Sequence, residues 1–188
     1  MRNYLLTMLL LLTCTVQAQV KMRDIVRTMP DSLVPYLKHN ARLDFVDFID
    51  SGMRAEVSNE LGGKSRLTEL TDDFADLALN TASTIQLRLL ETDEAVDDAR
   101  QIVCMVRTYG RDICESSIQF FSVKWRPLPL ADRIELPSYM HRFVLHSNAP
   151  ELTVERETGL DMPANEEQQK TEKELTTFKW DGKSFKKS

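Results

Sequence analysis

Hydrophobic positions recur with two different periods along the 188-residue chain. From residue 19 to about 55 they cluster at helical spacing, and from about 65 onward they alternate. In "KMRDIVRTMPDSLVPYLKHN", Ile25, Val26 and Met29 share one side of a first helical turn or two. Pro30 ends that piece, since it lacks an amide proton and its ring clashes with the preceding turn. Ser32 can cap a short second piece, with Pro35 tolerated in a first turn where amide protons have no helical acceptor. Asn40 is placed to cap a third helix reaching about Gly52 or Arg54. At about 100° per residue, Phe45, Phe48, Ile49 and Met53 of that helix gather on one side. Asn40, Asp44, Asp47, Ser51 and Arg54 gather on the other, with Asp50 at the edge. Three aspartates at steps of three invite a metal reading, but a metal needs convergent, protected ligands. Here the carboxylates form the wet side of an amphipathic helix.

Gly62 and Gly63 in "LGGK" mark a turn, and the period then falls to two. "DFADLALN" and "STIQLRLL" alternate as half-buried strands, Ile85, Leu87 and Leu89 opposing Gln86 and Arg88. "ETDEAVDDAR" is expected to be a solvated acidic loop, because it lacks the glycine and ligand spacing of a calcium loop. "QIVCMVRT" and "SSIQFFSVKW" are further strands joined by "YGRDICE", and "IVCMV", apolar on both sides, belongs in mid-sheet. Three prolines make "RPLPLADRIELPSYM" connecting structure or a sheet edge. "RFVLHS" and "ELTVERE" are short strands, and "MPANEEQQKTEKE" is a polar surface excursion. "TTFKWDGKSF" closes the chain as a hairpin, with Asp181-Gly182 expected to form a type I′ turn. "IQFFSVKWRPL" and "LTTFKWDGKSF" share an aromatic, then Lys-Trp, then a turn, which hints at similar hairpins at two ends of a sheet.

The fold class these elements imply is α+β, with N-terminal helices packed on a largely antiparallel β-sheet. Residues 19–188 are expected to form a single domain, helical over 19–55 and mainly β over 65–188. Ahead of it, "MRNYLLTMLLLLTCTVQAQ" has the basic start, short apolar core and small residues Val16 and Ala18 of a secretory signal peptide spanning 1–18. A lipoprotein signal at Cys14 fits less well, because Thr13 stands where a small residue is wanted. The apolar run is shorter than the roughly 20 residues of a membrane span, and no later segment could span a bilayer. The leader carries one base, Arg2, and no acid, so its removal takes the formal net charge from −5 to −6. An acidic chain lacks the electrostatic footprint that binds phosphate backbones, which argues against a nucleic-acid partner.

Candidate chemistry is sparse. The chain has no Gly-x-Ser-x-Gly, no His-Glu-x-x-His, no phosphate loop and no dinucleotide fingerprint. His141 and His146 stand five apart, the wrong step for one helical side and on opposite sides of a strand. Six glycines in the whole chain are few for a site built on backbone amides. These features name no catalytic, cofactor-binding or metal-ligating residue, and they lean away from an enzyme.

Two cysteines, Cys104 and Cys114, remain once the leader is gone, and an even pair in an oxidising compartment is more often bridged than free. A loop at Thr108-Tyr109-Gly110 sets Cys104 opposite Cys114, within bridging range. A loop from Tyr109 to Asp112 sets Cys104 opposite Ser117 and leaves two thiols. Both registers stay open.

"MPDSLVPYLKHNARLDFVDFIDSGM", then "LGGKSRLTELTDD", "STIQLRLL" and the terminal "FKWDGKSF" resemble a family of secreted proteins of unknown function. That family occurs mainly in anaerobic Gram-negative gut bacteria of the Bacteroidetes group. The resemblance implies an address, the periplasm or the cell surface, and no mechanism. The functional expectation is a periplasmic binding or interaction module for an envelope protein or polymer. The alternative is a hydrolase on envelope or dietary polymers, working through carboxylates the sequence does not single out. An exposed apolar patch or an open sheet edge favours the first, and a cleft with converging carboxylates favours the second.

Overall fold

Eleven strands and two short α-helices form around two hydrophobic layers in a computed structural model describing residues 19–111, 113–158 and 172–188. The leader expected at 1–18 and residues 162–171 of the polar stretch lie outside the described residues. Helix α1 covers Met22–Thr28, and a single 3₁₀ turn follows at Asp31–Leu33 before helix α2, His39–Asp50. Pro30 does end the first helix. The third piece starts at His39 after Lys38, so Asn40 lies inside the helix rather than capping it. Arg42 anchors the junction: buried, it donates from Nη2 to Asp31 Oδ1 at 2.6 Å and from Nη1 to the Leu37 carbonyl at 2.5 Å. The buried side of α2 is Arg42, Phe45 and Val46, while Met53, beyond the helix end, is 52% exposed.

Seven strands follow as one antiparallel meander in chain order: β1 Glu56–Ser58, β2 Lys64–Leu70, β3 Phe74–Asn80, β4 Ser83–Val96, β5 Ala99–Gly110, β6 Cys114–Ser122 and β7 Pro127–Leu128. A second antiparallel sheet has the order β11-β10-β9-β8, built from β8 His141–Leu145, β9 Glu151–Thr158, β10 Glu172–Trp180 and β11 Phe185–Lys187. Period-two alternation divides the side chains of the larger sheet between two layers. Ile85, Leu87, Leu89, Val103, Met105 and Phe121 join the residues of the helices. Leu90, Ile102, Cys104, Val106, Ile118 and Phe120 face the small sheet, meeting Phe143, Leu145, Leu152, Val154 and Phe185. β5 is buried on both sides, as "IVCMV" suggests.

The α+β expectation is corrected by these proportions. The protein is mostly antiparallel β, 49% strand against 14% helix, with two short helices in place of a helical N-terminal region. Prolines are the physical reason. Pro30 and Pro35 leave only a 3₁₀ turn between the helices, and every described residue from Glu56 onward is strand or connection.

Two local expectations also change. "ETDEAV" is the second half of β4, not a loop, and the hairpin turns at Asp97 and Asp98 with φ of 50° and 68°. Aspartate tolerates the left-handed region, so two of them can serve where Asn-Gly is usual. The terminal hairpin forms, but Trp180 pairs with Phe185 around a four-residue turn, Asp181–Ser184. Asp181 Oδ1 accepts from the amides of Lys183 at 2.9 Å and Ser184 at 2.7 Å, and these bonds hold its carboxyl below the usual range. Gly182, at φ +96°, lies against β4: a Cβ there would meet Asp93 Oδ1 at 2.6 Å. The hinted repeat does not put its two tryptophans in equivalent places, since Trp125 sits in a loop and Trp180 at a strand end.

Candidate functional site

Strand β6, "CESSIQFFS", has one edge largely without a partner. Its odd residues bond to β5: Tyr109 faces Glu115, and Arg107 faces Ser117. Two bonds fix this phase. Gly110 sends its amide to the Ala82 carbonyl, away from β6, and Ser122 sends its amide to the Arg126 carbonyl on the β7 side at 2.9 Å. Because ladder groups alternate in direction along an antiparallel strand, the amides and carbonyls of Ser116 and Ile118 point to the same side as those of Ser122. β7 pairs only with Phe120 and Phe121. Among the described residues, no backbone group pairs with Ser116 or Ile118 on that side.

Natural sheets guard such edges with lysine, proline or bulges. Its other edges carry guards, on β8 only at one end, since the outward amide and carbonyl of Phe143 have no backbone partner among the described residues. β1 is three residues long and its Glu56 is wrapped by Arg54, Lys64 and Arg66. Pro127, with Pro129 beside it, keeps amide protons off the far side of β7. At the end of β8, the Leu145 amide donates to Gln86 Oε1 at 3.0 Å, and Arg88 Nη1 donates to the His146 carbonyl at 2.6 Å. The open stretch of β6 has one charge, Glu115, and no proline or lysine.

Beside this edge runs a groove of about 580 Å³ between the margins of the two sheets. Ile118, Leu128, Leu130, Leu136, Pro137 and Phe143 are among its walls. Leu136 and Met140 are each 47% exposed and Tyr139 is 37% exposed, so the apolar surface continues past the groove. Arg156 lies over the Tyr139 ring at 4.5 Å, which fixes that ring at the rim. His141 forms part of the lip: its Nδ1 donates to the Tyr139 carbonyl at 2.6 Å, and its ring meets Phe143 at 4.4 Å.

A larger open cleft, about 1100 Å³, lies where the β4–β5 hairpin meets the β10–β11 turn. Most of its carboxylates are already held by neighbours. Asp72 pairs with Lys21 at 3.4 Å, Asp73 with Arg88 at 2.8 Å and Asp97 with Arg126 at 2.6 Å, while Glu91 accepts from Gln19 at 3.0 Å. A carboxylate pair for hydrolysis needs one carboxyl raised and facing the other. The described carboxyl that burial raises is Asp76, on β3, and it is not among the residues lining this cleft.

The residues singled out by sequence are scattered. Asp47 and Asp50 face α1 and pair with Arg27 at 3.0 Å and Arg23 at 3.2 Å, an arrangement of helix-to-helix ion pairs. His146 Nε2 bonds to Thr153 Oγ1 at 2.8 Å, five residues from His141 and outside the groove. Neither expected cysteine register forms: Gly110 lies opposite Cys114 and Phe120 opposite Cys104, leaving two free thiols. The open edge went unread in the sequence. Its signal was a strand without gatekeepers followed by a proline-rich stretch that adds only the two residues of β7 to the sheet.

Over residues 13–177 the chain matches the family described as protein of unknown function, DUF3256. The chain belongs to that family. A solved structure of a domain of an uncharacterized protein from Porphyromonas gingivalis W83 is similar to it, with 16% identity, a TM-score of 0.74, and coverage of 91% of this chain and 99% of that one. At that identity the likeness is one of fold. No curated protein matches the chain. Among the described residues, no helix is long and apolar enough to cross a membrane.

Proposed function

We propose that the chain is an exported binding module, a single domain over 19–188 behind a leader at 1–18, acting in the periplasm or at the cell surface on another envelope protein. The observation that carries this reading is the apolar groove beside the unguarded edge of β6. An edge without gatekeepers invites aggregation unless something occupies it, and exposed apolar surface next to it adds driving force for a protein partner. The larger cleft, most of whose carboxylates already hold a partner, offers no comparable invitation. The leader supports the address.

Site-specific photocrosslinking in cells tests the reading. A photoreactive residue replacing Leu136 should give discrete adducts in the periplasmic fraction. The same residue at Leu61, 60% exposed in the β1–β2 turn, should not. Equal or absent adducts at both sites, or full-length chain retained in the cytoplasm, would overturn it.

A further inference from the structure

We infer that the groove takes an extended polypeptide segment, which adds to the large sheet as a strand beside β6 and pairs with the outward amides and carbonyls of Ser116 and Ile118. This rests on the reading of the groove as the binding surface and names what fills it. The stretch from Cys114 to Gln119 offers about 20 Å of edge before β7 occupies the line, enough for five or six residues. Every second residue of an added strand would face the side on which Ile118 and Phe143 lie, so the segment should carry apolar side chains at alternate positions. The intervening residues would lie on the side of Glu115, Ser117 and Gln119, which are exposed. Small polar residues suit that side.

Two other occupants fit less well. An acyl chain would fill the apolar wall but leave the ladder groups of Ser116 and Ile118 dry and unpaired, which is costly. A second copy offering its own β6 edge carries β7 on that same edge, so the two strands collide beyond Phe120. A segment with a free end has no such obstacle.

The test uses the full exported chain and three probes: an octapeptide alternating valine and threonine between terminal lysines, the same peptide N-methylated on alternate amides, and laurate. Ser116→Pro removes the outward amide, and Ser116→Ala removes only the hydroxyl that bonds Thr108 Oγ1 at 2.7 Å. The unmethylated peptide should bind and slow amide exchange at Ser116 and Ile118. Methylation of the pairing edge and Ser116→Pro should each weaken binding about tenfold, the worth of roughly one ladder bond, while Ser116→Ala changes it less than about twofold. Laurate binding without amide protection overturns the strand while leaving the groove reading intact. So does failure of the peptide to bind when Leu136 still gives adducts. Equal binding of the methylated and unmethylated peptides also overturns it, whatever the proline variant does. A concentration-dependent dimer that protects the same two amides replaces the segment by a second copy. Loss of both peptide binding and Leu136 adducts removes the groove reading itself.

Discussion

Arg88 and Asp73 meet at 2.8 Å across the margin of the inter-sheet layer, the arginine side chain 4% exposed and the aspartate 47%. The other arm of the guanidinium holds the carbonyl of His146, so one side chain ties β4 both to the β2–β3 turn and to the chain just after β8. Burial lowers the arginine pKa, and the Asp73 charge opposes that shift. Asp73→Ala should therefore cost about 1.5–3 kcal/mol, because it strands a desolvated cation. In an Arg88→Met background the same change should cost little. Urea melts of the four proteins measure the coupling, expected at about 1 kcal/mol or more. Simple additivity would mean the pair does not clip the sheets.

Trp125 occupies a backbone conformation suited to glycine. Its amide donates to the Ser122 carbonyl and its φ is +62°, a left-handed position in the four-residue connection between β6 and β7. Its ring packs on Phe121 at 5.4 Å, and its Nε1 donates to Thr28 Oγ1 on α1 at 3.3 Å. Packing thus overrides the roughly 1–2 kcal/mol that a left-handed conformation costs an L-residue. Trp125→Ala should lose about 3–5 kcal/mol. Trp125→Gly should be more stable than the alanine variant by about 1 kcal/mol, reversing the usual order of the two. Equilibrium unfolding of both variants decides it, and alanine above glycine would contradict the strain.

Much of the β meander was legible because alternation is local: Ile85, Leu87 and Leu89 announce their side of the sheet from three positions. The second half of β4 was hidden, since Glu91, Asp93 and Glu94 are exposed strand residues whose charge resembles a loop. Asp97 and Asp98 concealed the turn by standing where glycine is expected. On α2 the water side was readable, but the partners of Asp47 and Asp50 were not, because Arg27 and Arg23 reach them only after Pro30 folds α1 back. The groove was least visible of all. It needs Ile118, Leu136 and Phe143, from three separate segments, and long-range juxtaposition leaves no periodicity to read.

Glu56 supplies a pH-dependent contact at the edge of the large sheet. Its Oε1 accepts from Lys64 Nζ at 2.5 Å and its Oε2 from Arg66 Nε at 2.6 Å. These two bonds take its pKa from 4.5 down to about 2. A carboxyl depressed in the folded state contributes stability that is fully present above its unfolded pKa and is lost as pH falls through the folded one. The advantage of the wild-type chain over Glu56→Gln should therefore be constant from neutral pH to about 5, shrink below about 4.5 and vanish near 2. Thermal melts across that range read it directly, and added salt should reduce the difference at every pH because the partners are exposed. A difference that grew on acidification would have the wrong sign for this carboxylate.

The two thiols are predicted to differ sharply in access and never to bridge. Gly110 pairs with Cys114, so Cys104 lies six positions farther along the same hairpin, opposite Phe120. At ~3.4 Å per residue that is roughly 20 Å, and a disulfide needs Cα atoms within about 7 Å. Cys104 is fully buried, and burial pushes its thiol pKa up, with the Arg88 charge opposing only in part. It is a core residue with weak nucleophilicity. Cys114 is half-buried at the hairpin tip, its Sγ donating to the Arg111 carbonyl at 3.5 Å. Native, non-reduced protein covering residues 19–188, treated with iodoacetamide, should take one label rapidly, at Cys114, and the second only on unfolding. Cys104→Ser should cost about 1–3 kcal/mol by placing a hydroxyl in the inter-sheet core, whereas Cys114→Ser should stay within about 0.5 kcal/mol of wild type. A mass short by two hydrogens, with neither thiol labelled after unfolding, would require a register in which β5 and β6 slide by several residues. That slide would also carry Ser116 and Ile118 away from the groove.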